Sequence, residues 1–476
     1  MEALSSLDES FLHLETPYSQ MHIGSVAIFE APAPPYDELA AMVADKLGLV
    51  PRYRQKVRFV PLAIGRPRWV DDRHFNLSYH LRHTALPSPG SEEQLRNLVG
   101  RVMSQRLDRA RPLWEMWIVE GLGEDRWGLV SKVHHCMVDG IAGSDLLTVV
   151  LDRERAAAPP ADDDWRPEPE PRDVELVARG LVELASPVEV LRTVRAAARA
   201  PREYATRALD AAHGLAAMRG LVRRTPPLSI NGVLGPHRRW AWARTRLSDV
   251  KTVRTALGGT VNDVVLTVIT NGFRSLLLSR GEAVEDRVVR TLVPVSVRAS
   301  DARGTYDNRV SAMFAELPIG VALPLERLDS IRLQMAHLKD SKQAVAGEVL
   351  TSLSGFAPPM LLALGERVAA HAGQRNVNTV TTNVPGPQYP LYAAGRRMLE
   401  AFPYVPLAGN VRVGVAIFSY DGGLSFGVTG DYDTATDLDV LCAGIEDGLE
   451  ELLGLAATTA QPKAAASPVS APRATT

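Results

Sequence analysis

The sequence predicts a two-domain α/β protein, on three observations. The first is length: 476 residues exceed the size at which one hydrophobic core keeps growing. The second is patterning, since alternating, strand-like segments and segments of helical apolar spacing recur in both halves of the chain. The third is a break. Ala156 to Arg172 (AAAPPADDDWRPEPEPR) is rich in proline and acid and reads as an extended linker that ends a first domain. The expected division is a first domain over 1–155, a linker and basic helical connector over 156–235, a second domain over 236–455, and a disordered tail of Ala, Thr, Pro and Ser over 456–476.

Composition narrows the function classes. With 46% hydrophobic and 23% charged residues, the chain can bury a large apolar interior. A net charge of -2 removes any overall attraction to nucleic acid. Cys136 and Cys442 cannot build a disulfide framework and suit a reducing compartment. The start, MEALSSLDESFLHLE, is acidic where a secretory signal is basic, and no run of about 18 apolar residues suggests a membrane span. The expectation is a cytoplasmic protein that meets membranes only from the side.

In chain order, Trp114 to Val119 alternates, Gly123-Glu124-Asp125-Arg126 reads as a turn, and Trp127 to Val133 returns as a second strand. His134 and His135 follow at its end, and Ile141 to Leu151 has helical spacing, so His135 and Asp139 sit on a strand-to-helix corner. Val174 to Arg224 reads as an alanine-rich helical region with basic residues concentrated between Arg192 and Arg224. Beyond Trp240 the pattern predicts a helix over Val261 to Ser279, strands over Val288 to Arg298 and Val377 to Asn383, and a hairpin of Val411 to Tyr420 and Leu424 to Tyr432 turning at Asp421-Gly422.

Chemistry concentrates in His134-His135-Cys136-Met137-Val138-Asp139-Gly140. A neutral imidazole suits removal of a proton from an alcohol near pH 7. Adjacent histidines on extended backbone point in opposite directions, so at most one faces a given substrate. Asp139 can stabilise the corner, and Gly140 permits its tight backbone. By itself the pair reads equally well as hydrogen-bonded structure. A metal site is disfavoured, because the spacing lacks the same-face arrangement of a zinc motif and offers only Cys136 as a further ligand. Cys136 reads as packing and Trp114 as a core aromatic.

His-His-x-x-x-Asp-Gly, preceded by Arg111-Pro112-Leu113-Trp114-Glu115, resembles the bacterial wax ester synthase/acyl-CoA:diacylglycerol acyltransferase family of the CoA-dependent acyltransferase superfamily. The likeness extends to Leu7 through Glu15, Asn262-Asp263, Val293-Pro294-Val295-Ser296-Val297-Arg298, Asn383-Val384-Pro385-Gly386-Pro387 and Pro406-Leu407-Ala408-Gly409-Asn410. It covers nearly the whole chain apart from linker and tail. The histidine motif alone is shared with peptide-synthetase condensation domains.

The resemblance implies a chloramphenicol-acetyltransferase-like α/β sandwich of two related domains with an inter-domain channel. It implies acyl transfer from a fatty acyl-CoA to diacylglycerol or to a fatty alcohol, with His135 as general base, His134, Asp139 and Gly140 as motif support, and no cofactor beyond the acyl-CoA substrate. The motif aspartate would hold an arginine from behind the corner, with Arg298 as candidate partner. Asn262 is a candidate for organising the oxyanion region, although Thr260 and Asp263 form a capping box that accounts for the same pattern. Asn383 and its Pro-Gly-Pro neighbours look like channel wall or simply a strand ending in a turn. The arginines between 192 and 224 read either as a solvated face or as a surface for anionic lipid at the inner face of the plasma membrane or a lipid droplet. A non-catalytic lipid-surface protein stays open as an alternative to an enzyme.

Overall fold

A computed structural model describes residues 1–140, 149–156, 165–185, 225, 227–296, 310–340 and 376–460. In chain order the elements are β1 (Glu2–Ala3), α1 (Ser6–Leu14), β2 (His22–Phe29), α2 (Tyr36–Leu47), β3 (Gln55–Arg58), β4 (Arg68–Asp71), α3 (Leu77–His80), β5 (Leu81–Ala85), α4 (Glu92–Ser104), β6 (Trp114–Leu122) and β7 (Arg126–His134). A 3₁₀ turn, His135–Gly140, and α5 (Asp173–Ala185) follow. The second half contains β8 (Arg238–Arg246), α6 (Leu247–Leu257), α7 (Val261–Ser279), β9 (Val289–Ser296), β10 (Val310–Leu317), α8 (Pro324–Asp340), β11 (Thr379–Pro385), β12 (Tyr392–Ala393), β13 (Arg396–Tyr404), β14 (Val413–Tyr420), β15 (Gly423–Asp431) and α9 (Leu438–Ala460).

Two mixed six-stranded sheets dominate, one in the order β12-β13-β2-β7-β6-β5 and one in the order β10-β9-β11-β14-β15-β8. A small sheet of β1, β4 and β3 flanks the first. The period of two along each strand divides side chains between distinct cores. In β6, Trp114, Met116 and Ile118 enter a core with α2, whereas Val119 and Trp117 face one built on α4. Along β8, Ala241 and Ala243 enter the core of the second sheet, and Trp240 and Trp242 enter the α4 core of the first. That α4 core also takes Phe402 and Tyr404 of β13, so it joins the two halves. Each large side chain buried there contributes about 1.5–3 kcal/mol of transfer free energy.

Chain order and sheet membership differ. β12 and β13 belong by sequence to the second half, yet β13 pairs antiparallel with β2 and completes the first sheet. Their seam is tight: a Cβ on Gly427 of β15 would lie 1.7 Å from the Pro403 carbonyl oxygen of β13. Only a glycine admits that approach.

The helix expected over Val261 to Ser279 forms as α7, with Thr260 and Asp263 making a reciprocal capping box. By length and mean hydropathy it could cross a membrane, but Asn262, Asp263, Asn271 and Arg274 interrupt its apolar residues, and 72% of its most apolar 18-residue window is buried in the fold. The β14–β15 hairpin turns at Asp421 and Gly422, both at positive φ, as a two-residue turn requires. The expected disordered tail begins too early, because α9 continues to Ala460 with Leu449, Leu452 and Ala456 buried. The described part of the linker, 165–172, and the start of α5 contact β3 and the turn before it. Lys56 pairs with Glu170 at 3.1 Å, Arg58 with Asp173 at 2.9 Å, and the Arg54 guanidinium lies over the Trp165 ring. The basic stretch from Arg192 to Arg224 and most of the helix expected after Gly140 lie outside the described residues.

Candidate functional site

The corner is built by β2 and β7. His22 and His134 are paired across the two strands, and the His135 backbone N–H donates to the Met21 carbonyl at 2.8 Å. Extended backbone sends adjacent side chains to opposite sides. His134 is sealed in the interior while His135 keeps partial exposure. Nδ1 of His134 accepts the Cys136 backbone N–H at 3.2 Å, so the neutral ring carries its proton on Nε2. Burial lowers the His134 pKa to about 4, which keeps it neutral at pH 7 and makes it a poor proton acceptor. His135 is thus the histidine of the pair able to meet a substrate.

Behind the corner lies a buried polar cluster that the sequence did not single out. Glu15, the C-cap of α1, receives Arg106 at 3.1 Å and Arg109 at 2.5 Å, and its other oxygen lies 3.7 Å from His22 Nε2. Burial opposes ionisation of Glu15, but the guanidinium hydrogen bonds and the surrounding charges more than offset it and hold the pKa below the usual carboxylate value. Burial first, and then the Lys132 charge, hold the His22 pKa well below the ordinary imidazole value. Lys132, itself fully buried, donates to the Val102 carbonyl at 2.9 Å near the end of α4. From α1, Phe11 stacks on the His135 ring with centroids 3.8 Å apart. The sequence signal for this cluster is confined to the segment Leu7 through Glu15, which contains Phe11 and Glu15 but not His22, Arg106, Arg109 or Lys132.

A cleft of about 700 Å³ opens at the second sheet, where Asn262, Asn383, Pro385 and Gly386 meet Lys251 and Arg254. The Asn383 side-chain amide donates to Asn262 Oδ1 at 3.3 Å, so the structure joins two residues that the sequence offered separately. Asn262 occupies the first turn of α7, where unpaired backbone N–H groups and the helix dipole favour negative charge. The capping box is formed by Thr260 and Asp263, which leaves the Asn262 side chain outside the cap.

Other expected residues distribute as follows. Asp139 and Gly140 close the 3₁₀ turn that begins at His135. The side chain of Asp139 and all of Arg298 lie outside the described residues, and so does any pair between them. Trp114 is fully buried and donates its indole N–H to the Tyr53 carbonyl at 2.8 Å. Cys136 is buried, and desolvation pushes its thiol well above the ordinary range, which removes it as a thiolate nucleophile. Among the described residues no group of three or more His, Cys, Asp or Glu side chains is arranged to hold a metal ion.

Residues 4–265 match the wax ester synthase/diacylglycerol acyltransferase catalytic domain, and residues 306–453 match the C-terminal domain of the same family. The chain belongs to the wax ester synthase/diacylglycerol acyltransferase family. It is 36% identical over 457 residues to a Mycobacterium tuberculosis protein named a probable diacylglycerol O-acyltransferase, covering 96% of each chain. A solved wax ester synthase/diacylglycerol acyltransferase from Marinobacter aquaeolei VT8 superposes with a TM-score of 0.65 at 27% identity, over 96% of this chain and all of that one. The first condensation domain of the calcium-dependent antibiotic synthetase superposes at 0.57 with 17% identity, over 97% of each chain, and shares the fold. Membership makes this chain an acyltransferase of the wax ester synthase/diacylglycerol acyltransferase family, with the two-domain fold expected from its sequence.

Proposed function

We propose that the protein is an acyl-CoA:diacylglycerol O-acyltransferase, with His135 as general base. Two findings support the acceptor: the names borne by its mycobacterial relatives, and coverage of nearly the whole of those chains. The observation that carries the assignment of the base is the division of labour at the corner. His134 is sealed and depressed to about 4, while His135, next in the chain, is partly exposed at the end of β7. In the reaction the imidazole of His135 takes the acceptor hydroxyl proton as that oxygen attacks the thioester carbonyl. The tetrahedral intermediate collapses with loss of the CoA thiolate, which recovers the proton from the imidazolium. The acyl group passes directly between the two substrates, without a covalent enzyme intermediate and with no cofactor.

The asparagine pair and the start of α7 supply polar groups suited to organising developing negative charge. Lys251 and Arg254 place positive charge at the rim of the same cleft, where the phosphates of a CoA ester would be favoured. Water-insoluble acceptors have to be collected from a lipid surface, so a peripheral position on the inner face of the plasma membrane or on a lipid droplet belongs to this reading. Val174, Leu181 and Val182 are exposed on α5, which leads towards the basic stretch ending at Arg224. Wax ester synthesis differs only in the alcohol presented to the same base.

Acyl transfer from labelled acyl-CoA to dispersed diacylglycerol and to hexadecanol tests the function. Transfer to diacylglycerol at the higher kcat/KM is expected. Preference for hexadecanol would make the protein a wax ester synthase, and transfer to neither would overturn the enzymatic reading. Sedimentation with vesicles of neutral and anionic phospholipid tests the location: the expected result is stronger binding to anionic vesicles that weakens as salt is raised, and equal binding to both would contradict it.

A further inference from the structure

We propose that Phe11 is a positioning residue for His135, and that α1 serves as its rigid mount. This inference rests on the reading of His135 as the base. Phe11 and His135 are stacked, with ring centroids 3.8 Å apart and planes inclined by 28°. At that separation the two rings meet face to face, so the flat face of Phe11 restricts rotation of the imidazole about its χ angles.

A mount is useful only if it does not move, and α1 is fixed at both ends. The Ser5 side chain accepts the Asp8 backbone N–H at 3.1 Å and donates to the Asp8 carboxylate at 2.8 Å. At the other end, the Glu15 carboxylate takes Arg106 and Arg109, and Arg109 also donates to the Leu12 carbonyl at 2.9 Å. A nine-residue helix is too short to be stable by itself, and these locks compensate for its length. The corner is held from the other side by the Met21 carbonyl and by His134, whose ring caps the turn through the Cys136 N–H. Backbone and neighbour therefore fix where His135 begins, and Phe11 fixes where its ring lies. Phe11 itself is only partly buried, so its removal tests orientation more than core packing. A misplacement of about 1 Å in a reacting group can cost on the order of 100-fold in rate.

The experiment compares Phe11→Leu and Phe11→Tyr with the unmodified protein for kcat, KM for acyl-CoA and thermal unfolding, with His135→Ala as a separate control. Phe11→Leu is expected to lower kcat by roughly 10- to 100-fold while KM changes less than about twofold. Phe11→Tyr, which keeps the aromatic face, is expected to restore most of kcat. The Tm of both should stay close to that of the unmodified protein. A Phe11→Leu enzyme with kcat within about twofold of normal would overturn the proposal. So would equal losses in Phe11→Leu and Phe11→Tyr, or a loss that follows a lowered Tm, since those mark a merely structural contact. Should His135→Ala retain normal activity, the assignment of the base fails instead, and that result is read independently of either Phe11 variant.

Discussion

Asn383 donates its side-chain amide to Asn262 Oδ1 at 3.3 Å, tying the end of β11 to the first turn of α7. The contact aims a polar pair into the cleft without taking part in the helix cap. Asn383→Ala should therefore lower turnover with little effect on unfolding. If the pair organises the oxyanion region, the loss is about 10²- to 10³-fold in kcat. Thr260→Ala should do the reverse, costing about 1 kcal/mol of stability through the lost cap. Steady-state kinetics and thermal unfolding of the two variants check this, and an Asn383→Ala enzyme with normal kcat would remove the pair from the chemistry.

Buried histidines predict sensitivity to acid. Unfolded, His134 takes up a proton near the ordinary value of 6.5, but folded it does so only at about 4. Between those values the unfolded chain binds more protons, so stability falls as pH is lowered through the window and is fully present above it. His22 shifts in the same direction. Glu15, whose folded pKa is lowered, adds a loss that begins below its ordinary 4.5 and continues as pH falls through its folded value. The His134 shift alone corresponds to roughly 3 kcal/mol. Denaturant unfolding at several pH values should show this decline, with a shallower slope in His134→Asn. An unchanged slope in that variant would show that His134 is not responsible.

The seam between the sheets predicts a severe packing defect. Gly427→Ala would drive a methyl group into the Pro403 carbonyl, 1.7 Å from the added atom and carried by rigid backbone. Overpacking of this kind costs about 1–3 kcal/mol or more. The same core holds Trp240, Trp242 and Phe402, with the Trp242 and Phe402 rings stacked at 4.6 Å. Differential scanning calorimetry should show a lowered Tm in Gly427→Ala, and a Tm equal to that of the unmodified protein would contradict the close approach.

Local patterns in the sequence account for much of this structure. Apolar spacing and a cap locate α7 to the residue, and alternation around Asp421-Gly422 locates the closing hairpin. The histidine corner is legible because strand, histidine pair and glycine are adjacent in the chain. Long-range partnerships are not. Glu15 and Arg109 lie 94 residues apart, and β13 reaches back to β2 across most of the chain. Neither leaves a local periodicity, since the pairing depends on which surfaces the cores bring together. α9 is not legible in the sequence and runs into the expected tail for a related reason: Ala456 is buried against neighbours that composition does not reveal. Phe11 reads in isolation as one more apolar helix residue, and only the fold sets it on His135.

The central claim is that His135, and not its neighbour, performs the proton transfer. The most direct test is acyl transfer by His135→Ala in a detergent-dispersed diacylglycerol assay, with thermal unfolding measured on the same preparation and His134→Ala for comparison. Loss of a general base lowers rate by about 10²- to 10⁴-fold. A loss of that size is expected in His135→Ala with an almost unchanged Tm, and a smaller loss of turnover accompanied by lowered stability in His134→Ala. Substantial activity in His135→Ala would contradict it.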